Sequence, residues 1–345
     1  MDFWLPLTLT FAVSFLAIKI VNPIAVKTGL VDYPCARKVH EGHIPLVGGI
    51  AIYLSIMIAS MLFIEHSREL NIYLVAAALV LFLGVLDDRY NLSVKIRLVA
   101  QVIVASLMIF GTETYLHSLG FIFGSFELEL GIVGVVITIV AIIAGINAIN
   151  MMDGIDGLAG SLSLIAFASL AFLFSQVASD WFLLPVLFIA SLLAYLMFNL
   201  KLHSSFSKVF MGDSGNMFIG LTLVWLMVIG TGLNTPALKP VTALYIIAIP
   251  LLDMASVILR RVKSGGSAFK ADRQHLHHLF EAAGYSRKYA LVVISVIASI
   301  IAILGCIANV YLVPEWIMLV AFILLFTCYT AYVQYAWGKV SLKNQ

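Results

Sequence analysis

Long apolar segments alternate with short polar ones along almost the whole chain, and their lengths predict membrane-spanning helices. A helix needs roughly 20 apolar residues to cross the hydrocarbon core of a bilayer. Segments near this length recur eleven times. The predicted spans are 3–21, 46–64, 70–86, 96–111, 131–149, 158–178, 181–199, 217–233, 241–259, 289–311 and 316–335.

The composition agrees with this pattern. Of the 345 residues, 62% are hydrophobic and only 11% are charged, and the mean hydropathy is +1.06. The longest polar segments, 22–45 and 260–288, are too short to bury a core of their own. We therefore predict an all-α, polytopic integral membrane protein that forms one transmembrane domain over residues 1–345, with its functional groups in loops.

The lysines and arginines fall on one side of this topology. If the N-terminus is outside, all of the 20 basic residues except Arg68 and Lys239 lie on the cytoplasmic side. Cytoplasmic loops carry such an excess, so we predict that the N-terminus is outside and the C-terminus inside. The first span follows only Met1 and Asp2, without a basic region or a cleavage site, and we expect it to be retained as an anchor.

Five aspartates lie at the ends of predicted spans, and the alternating topology places all of them on the cytoplasmic side. Carboxylates are costly inside a bilayer, so acids gathered on one face indicate a shared cation or a phosphate-containing ligand. These residues are Asp87, Asp88, Asp153, Asp156 and Asp213.

Asp87 and Asp88 end a span that runs inward. The partial negative charge at a helix C-terminus disfavours carboxylates there, by about 0.3–1 kcal/mol each. A divalent cation or a protonatable ligand would offset this cost, and paired carboxylates are common oxygen donors for Mg²⁺.

Two Asp-Gly pairs follow Asn150, at Asp153 and Asp156. They predict tight turns in which glycine lets the backbone approach a ligand while the carboxylates stay fixed. The alternative is a turn in which Asp156 caps the next helix.

Asp213 opens a span that runs outward, so the N–H groups at the start of this helix face the cytoplasm and suit a phosphate. The alternative is an ordinary N-cap formed by Asp213 or Ser214. Phe210, which is predicted to be exposed in the same polar loop, suits stacking on a planar base better than packing in a core.

The first cytoplasmic loop is basic, with Arg37, Lys38 and His40. These groups suit an anion, either a substrate phosphate or the phosphates of membrane lipids. In the second case they would only fix the topology.

The longest cytoplasmic loop ends with Arg273, His275, His277 and His278. Three histidines in four positions could hold zinc, but no cysteine is near them. Their basic neighbours favour an anionic substrate, with a histidine as acid or base.

These motifs together resemble the signature set of the polyprenyl-phosphate N-acetylhexosamine-1-phosphate transferases, membrane enzymes that load a UDP-activated sugar phosphate onto a lipid carrier. The resemblance extends from Asp32 to about Glu281. The histidine motif is similar to that of the branch that starts O-antigen and enterobacterial common antigen synthesis. The branch with a muramoyl-pentapeptide donor has a run of three consecutive histidines. In this chain Leu279 takes the place of the last of them. The matching segments are Asp87-Asp88, the turn from Asn150 to Gly157, Phe210 to Asp213, and Asp272 to His278.

The resemblance implies a role for each residue, with Asn150, Asp156 and Phe210 around the uridine. The family motif often closes with a third aspartate, and this chain has Asn91 instead, which puts an essential role for that position in doubt. The expected catalytic residues are Asp87, Asp88, Asp153, Asp156 and His277; the metal ligands are Asp213 and Asp88; the substrate-binding residues are Arg37, Lys38, His40, Asn150, Phe210, Arg273, His275 and His278.

The implied reaction moves N-acetylglucosamine 1-phosphate from UDP-GlcNAc to undecaprenyl phosphate in the bacterial cytoplasmic (inner) membrane, with release of UMP. Two anions must meet, so Mg²⁺ or Mn²⁺ is expected as the cofactor. Another UDP-N-acetylhexosamine donor is the first alternative. A transporter is a distant one, because its acids belong near the bilayer midplane, where only Asp253 lies. Membrane lipids are expected partners and nucleic acid is not. The sequence is compatible with either sugar epimer, with more than one surface polymer as the destination of the product, and with a one-step or a two-step route. It is also compatible with a homodimer.

Overall fold

The computed structural model describes residues 4–33, 42–232, 235–265, 267 and 274–343. It is a bundle of helices with one short β-hairpin. A 3₁₀ turn, Asp180–Phe182, leads into the seventh helix. The helices are α1 Trp4–Thr28, α2 Gly48–Phe63, α3 Arg68–Tyr90, α4 Val94–Thr112, α5 Val133–Met151, α6 Leu158–Gln176, α7 Leu183–Asn199, α8 Gly212–Gly232, α9 Pro240–Ile246, α10 Ala248–Lys263, α11 Leu276–Ala282, α12 Arg287–Val310 and α13 Glu315–Lys343.

The observed helices confirm the polytopic all-α fold. In the described part of the chain, nine helices are long and apolar enough to cross a membrane. The pair formed by α9 and α10 adds a bent tenth span, and α2 is a shorter apolar helix of 16 residues. Each of the eleven predicted segments therefore coincides with one of these elements.

The ninth predicted span, 241–259, is present, but it is not one continuous helix. The structure breaks it between α9 and α10 with an 86° bend at Ile247. Pro250 explains the break, because it has no N–H to donate to the carbonyl of Ile246 and its ring collides with that carbonyl in a continuous helix.

Helix α8 lies at the centre of the bundle, where it contacts α2, α3, α5, α6 and α9. Its residues from Ser214 to Gly230 are buried, with Trp225 and Phe218 fully enclosed. Gly84 of α3 makes the close approach possible, because a Cβ at this position would lie 2.5 Å from the backbone nitrogen of Ser214. Small residues allow such close crossings of membrane helices.

The hairpin joins the first loop that was predicted to be cytoplasmic to the segment before α8. Strands β1 (Val31–Asp32) and β2 (Ile44–Pro45) pair antiparallel. The Phe210 N–H then donates to the Pro45 carbonyl at 2.9 Å, and the Gly48 N–H donates to the Phe210 carbonyl at 2.9 Å. The starts of α2 and α8 are thereby fixed relative to each other.

Contacts at the opposite end of the bundle agree with the alternating topology. Arg68 lies 3.7 Å from Glu113, and the Lys239 ammonium group donates to the Val313 carbonyl at 2.9 Å. Each pair joins two loops that were predicted to lie on the outer face.

Candidate active site

The five aspartates surround one cavity of about 880 Å³ at the end of the bundle that is predicted to be cytoplasmic. The prediction that they lie on a common face is confirmed. Other side chains of the cavity wall include Asp32, Tyr33, Arg89, Asn91, Asn150, Asn199, Lys208, Phe210, Asn216, His278, Glu281 and Arg287.

Asp88 caps helix α8 from outside that helix. Its Oδ1 accepts the Asp213 N–H at 2.7 Å, and its Oδ2 accepts the Ser214 N–H at 3.2 Å. Gly212 leaves room for this cap, since its φ is 74° and a Cβ would lie 2.5 Å from Asp88 Oδ2. The expectation that these N–H groups are free for a phosphate is therefore wrong, because a carboxylate of the protein already occupies them. The cap comes from neither Asp213 nor Ser214.

Asp87 is buried, and each of its carboxylate oxygens accepts a hydrogen bond. Its Oδ1 accepts the Leu92 N–H at 2.8 Å, and its Oδ2 lies 2.9 Å from the Arg97 guanidinium. Asp213 lies beside it, hydrogen-bonded to Asn150. The cost of placing acids at the end of α3 is thus offset by an arginine and by backbone N–H groups.

Asn91 ends helix α3 in the left-handed conformation, with a φ of 50°. Asparagine and aspartate tolerate this conformation better than most other residues. The departure from the family motif at this position is therefore compatible with the same backbone.

Asn216 connects the first turn of α8 to the Asp-Gly segment. Its Nδ2 donates to Asp153 at 2.7 Å and to Asn150 at 3.2 Å. Its buried Oδ1 has no hydrogen-bond partner in the described part of the chain. The sequence analysis did not single out Asn216, although it lies three residues after Asp213 and therefore close to it on the helix.

Asp156 forms an ion pair with Lys208, at 2.6 Å. Helix α6 is preceded by Gly157, which has a φ of 79° and gives no side-chain cap, so the alternative that Asp156 caps this helix is wrong. The Lys208 ammonium group also lies 5.3 Å from the ring centroid of the half-buried Phe210. A cation, a carboxylate and an aromatic ring therefore share this side of the cavity.

Asn199 is a second residue that the sequence analysis missed. It is buried, accepts the Gly157 N–H at 2.6 Å and donates to the Val209 carbonyl at 2.9 Å. It holds the Asp-Gly turn against the segment that carries Phe210. Its position at the end of an apolar helix was the only sequence signal.

Of the three histidines, only His278 is part of the cavity wall. Its Nδ1 lies 3.0 Å from Glu281, which also accepts the Arg287 Nε–H at 2.6 Å. Burial alone would raise the pKa of Glu281, but the hydrogen bonds with His278 and Arg287 outweigh it and lower the pKa. Glu281 and Arg287 were not predicted.

His277 and His275 lie behind the wall. His277 is buried, and its ring packs directly on Gly154, where a Cβ would lie 2.5 Å from the His277 Cε1. Burial, with the nearby His278, His275 and Arg287, holds the pKa of His277 well below its usual range, so the ring is neutral at pH 7. His275 is buried against Asp253.

Four predicted substrate-binding residues, Arg37, Lys38, His40 and Arg273, lie outside the described residues. Asp32 and Tyr33, which precede the first three in the chain, belong to the cavity wall.

The carboxylates of Asp87, Asp88 and Asp213 lie close together, with Arg97 as the neighbouring cation. Within the described residues, no three His, Cys, Asp or Glu side chains are placed to hold a metal ion among themselves. Mg²⁺ usually takes only one or two protein carboxylates and completes its shell with phosphate oxygens and water. The residues present therefore fit a Mg²⁺ site that a phosphate substrate would complete.

Comparisons with known proteins agree with this arrangement and confirm the resemblance. Residues 70–231 match the model of glycosyl transferase family 4. The undecaprenyl-phosphate alpha-N-acetylglucosaminyl 1-phosphate transferase of Escherichia coli (strain K12) is 42% identical over 329 residues, 95% of this chain and 90% of that protein. The protein of the same name from Pasteurella multocida is 43% identical over 335 residues, 96% of this chain and 94% of that protein. The chain therefore belongs to glycosyl transferase family 4, together with these bacterial phosphosugar transferases.

Proposed function

We propose that this protein transfers N-acetylglucosamine 1-phosphate from UDP-GlcNAc to undecaprenyl phosphate, giving undecaprenyl-diphospho-GlcNAc and UMP. The reaction would take place at the inner face of the bacterial cytoplasmic membrane. The name shared by the relatives supports the reaction. The observation that carries the proposal is the cavity at one end of the bundle, in which the five aspartates at span ends meet the Phe210 ring and three cationic side chains.

Asp213 and Asp88 would hold Mg²⁺ or Mn²⁺, which would neutralise and align the two phosphate-bearing substrates when bound. Asp88 keeps a lone pair on each oxygen, because each accepts only one backbone N–H. Asp88 can therefore fix the start of α8 and still contact a cation.

The nucleotide would occupy the side of the cavity that carries Phe210 and the Asp156–Lys208 pair. The backbone of Phe210 is bonded on both sides, to Pro45 and to Gly48, so its ring is held in place for stacking on uracil. Asn150 and Asp156 would face the uridine. Arg287, oriented by Glu281, supplies positive charge for the diphosphate.

The acceptor phosphate would contact Arg89. Two of the three cations in the described cavity wall are paired, Lys208 with Asp156 and Arg287 with Glu281. Arg89 has no carboxylate partner among the described residues. Its guanidinium packs over Gly29 at the end of α1, beside Asp88 in the chain. A guanidinium in this position can bind a phosphate with two hydrogen bonds.

The geometry favours direct attack by the acceptor phosphate over a covalent enzyme intermediate. Both oxygens of Asp87 and both oxygens of Asp88 accept hydrogen bonds, which lower the nucleophilicity of a carboxylate. A prenyl phosphate is already a competent oxyanion. The aspartates would then act as a base or as metal ligands.

The reaction is tested by incubating purified protein with undecaprenyl phosphate and either labelled UDP-GlcNAc or labelled UDP-GalNAc, followed by chromatography of the lipid extract. We expect a labelled lipid and free UMP with UDP-GlcNAc. A labelled lipid with UDP-GalNAc alone would establish the alternative donor. No labelled lipid with either donor would refute the proposed reaction.

The direct route is tested by exchange of labelled UMP into UDP-GlcNAc. A one-step reaction requires the lipid acceptor or its product for this exchange. Exchange by delipidated protein that is lost in Asp87→Asn or Asp88→Asn would instead identify a covalent aspartate.

The acceptor site is tested by Arg89→Gln, with Lys95→Gln as the matched control, because Lys95 is exposed at the same end of the bundle but outside the cavity wall. Arg89→Gln should raise the KM for undecaprenyl phosphate about tenfold or more and leave the KM for UDP-GlcNAc unchanged. Equal effects of the two substitutions would mean that Arg89 acts only through general surface charge.

A further inference from the structure

Asp253 is a carboxylate within the apolar bundle, and only 1% of its surface is exposed. It lies in α10, away from the cavity wall. A charged group in such surroundings is costly unless it is fully hydrogen-bonded. The residues that bond to it should therefore indicate why an acid occupies this position.

Three donors from two other elements converge on this carboxylate. The His275 Nδ1 lies 2.7 Å from Oδ2, the Leu276 N–H donates to Oδ1 at 3.0 Å, and the Tyr329 hydroxyl donates to Oδ1 at 2.8 Å. Leu276 is the first residue of α11, and Tyr329 belongs to α13. Asp253 thus joins α10, α11 and α13 at one point.

Helix α11 connects this point to the cavity. It carries His278 and Glu281, both of which belong to the cavity wall. His275 stacks parallel to His277, with ring centroids 5.8 Å apart and planes 3° apart. His277 in turn packs on Gly154, which lies between the two aspartates of the Asp-Gly turn. A displacement of the His275 ring would therefore move two parts of the cavity wall.

We propose that Asp253 is a positioning residue for the transfer reaction: with His275 and Tyr329 it seats α11 so that His278 and Glu281 face the cavity. The inference rests on the proposed function and deepens it. His275 then serves the reaction by holding the helix, and not by contacting the substrate as its motif suggested. Helix α13 contributes no residue to the described cavity wall. Tyr329 nevertheless connects it to this site, through its hydrogen bond to Asp253.

The experiment is a double-mutant cycle on kcat/KM, formed by Asp253→Asn, His278→Ala and the double variant. If Asp253 acts through α11, each single change should lower kcat/KM about tenfold or more. The double variant should then be no worse than about twofold below His278→Ala alone. Multiplicative losses would overturn the proposal.

The control cycle replaces Asp253→Asn by Ser55→Ala. Ser55 is also buried in a contact between helices, 2.8 Å from Ser191, but it lies far from α11 in the fold. Its effect should be independent of His278→Ala. If Asp253→Asn does not yield folded protein, Tyr329→Phe takes its place, since it removes one hydroxyl and keeps the ring.

A rescue experiment separates positioning from loss of packing. The amide of Asn can replace the Nδ1–H of histidine, so His275→Asn should retain most of the activity that His275→Ala loses. Equal losses in the two variants would contradict a positioning role for the His275–Asp253 bond.

Hydrogen exchange of the α11 amides in Asp253→Asn gives a readout that does not depend on turnover. These amides should exchange at least about tenfold faster than in the wild type or in Ser55→Ala. Unchanged exchange would overturn the seating of α11 by Asp253. Absence of turnover in the wild-type protein would instead refute the proposed function and leave this result valid.

Discussion

Gly84→Ala is the substitution that most directly tests how α3 and α8 build the site. The new Cβ would lie 2.5 Å from the Ser214 nitrogen, and an ordinary contact begins at 3.4 Å. The Ser214 Cα would lie closer still. These neighbours are backbone and cannot rotate away, so the two helices must separate by at least about 0.9 Å, the difference between the two distances given.

This separation should break the cap that Asp88 provides. Asp88 follows Gly84 by one helical turn, and a shift of 0.9 Å would lengthen its 2.7 Å bond to the Asp213 N–H to about 3.6 Å, which is beyond hydrogen-bonding distance. Loss of a hydrogen bond to a charged group costs about 1.5–3 kcal/mol. If this loss is expressed in the reacting state, kcat/KM falls about 10- to 150-fold. The strain should also lower the free energy of unfolding by about 1–3 kcal/mol.

The assay measures lipid product formation and the thermal midpoint in detergent for Gly84→Ala and for Gly338→Ala. Gly338 is the matched control because it is also helical, yet a Cβ there meets nothing within 4 Å. Alanine at Gly338 should be neutral or slightly stabilising, since glycine weakens helices. Wild-type activity and stability in Gly84→Ala would refute both the close crossing and the role of the Asp88 cap.

Three further predictions concern the cofactor, the topology and the pH dependence. Asp213→Asn should lower transfer about 100-fold or more, because an amide lacks the charge that balances Mg²⁺; wild-type activity across a Mg²⁺ titration would remove Asp213 from the metal site. In a cysteine-free chain, an impermeant thiol reagent should label Thr235→Cys but not Ser267→Cys in intact cells, and equal labelling would contradict the predicted orientation. The lowered pKa of Glu281 stabilises the fold above the ordinary value of 4.5, and this contribution is lost as the pH falls through the lowered pKa. Glu281→Gln should therefore flatten the acid side of the thermal midpoint profile, whereas an unchanged profile would show that the carboxylate does not contribute.

The sequence alone predicted the parts of the fold and site that depend on local composition. Span positions follow from apolar length, and the common side of the five aspartates follows from the alternation of spans. Pro250 was a visible signal for the bend at Ile247, but the sequence does not determine whether a proline in a membrane helix produces a mild kink or a sharp break.

The partners of these residues could not be predicted, because they come from distant parts of the chain. Asp88 bonds to α8, which lies more than 120 residues later, and Asp253 bonds to Tyr329, which lies 76 residues later in α13. The sequence of a histidine cluster is the same whether its rings contact a substrate or pack on each other. Only the packing of α11 separates His278, in the cavity wall, from His275 and His277 behind it.

The central position of α8 has a consequence for biogenesis. Among the nine membrane-spanning helices found in the described residues, α8 is one of the least hydrophobic and the most deeply enclosed by protein. Lipid alone is therefore a poor environment for it during insertion. Its main neighbours α2, α3 and α5 are all synthesised before it, so a protein-lined slot can exist when α8 leaves the ribosome. Damage to these early helices should then appear first as failed insertion of α8, before any defect in catalysis can be measured.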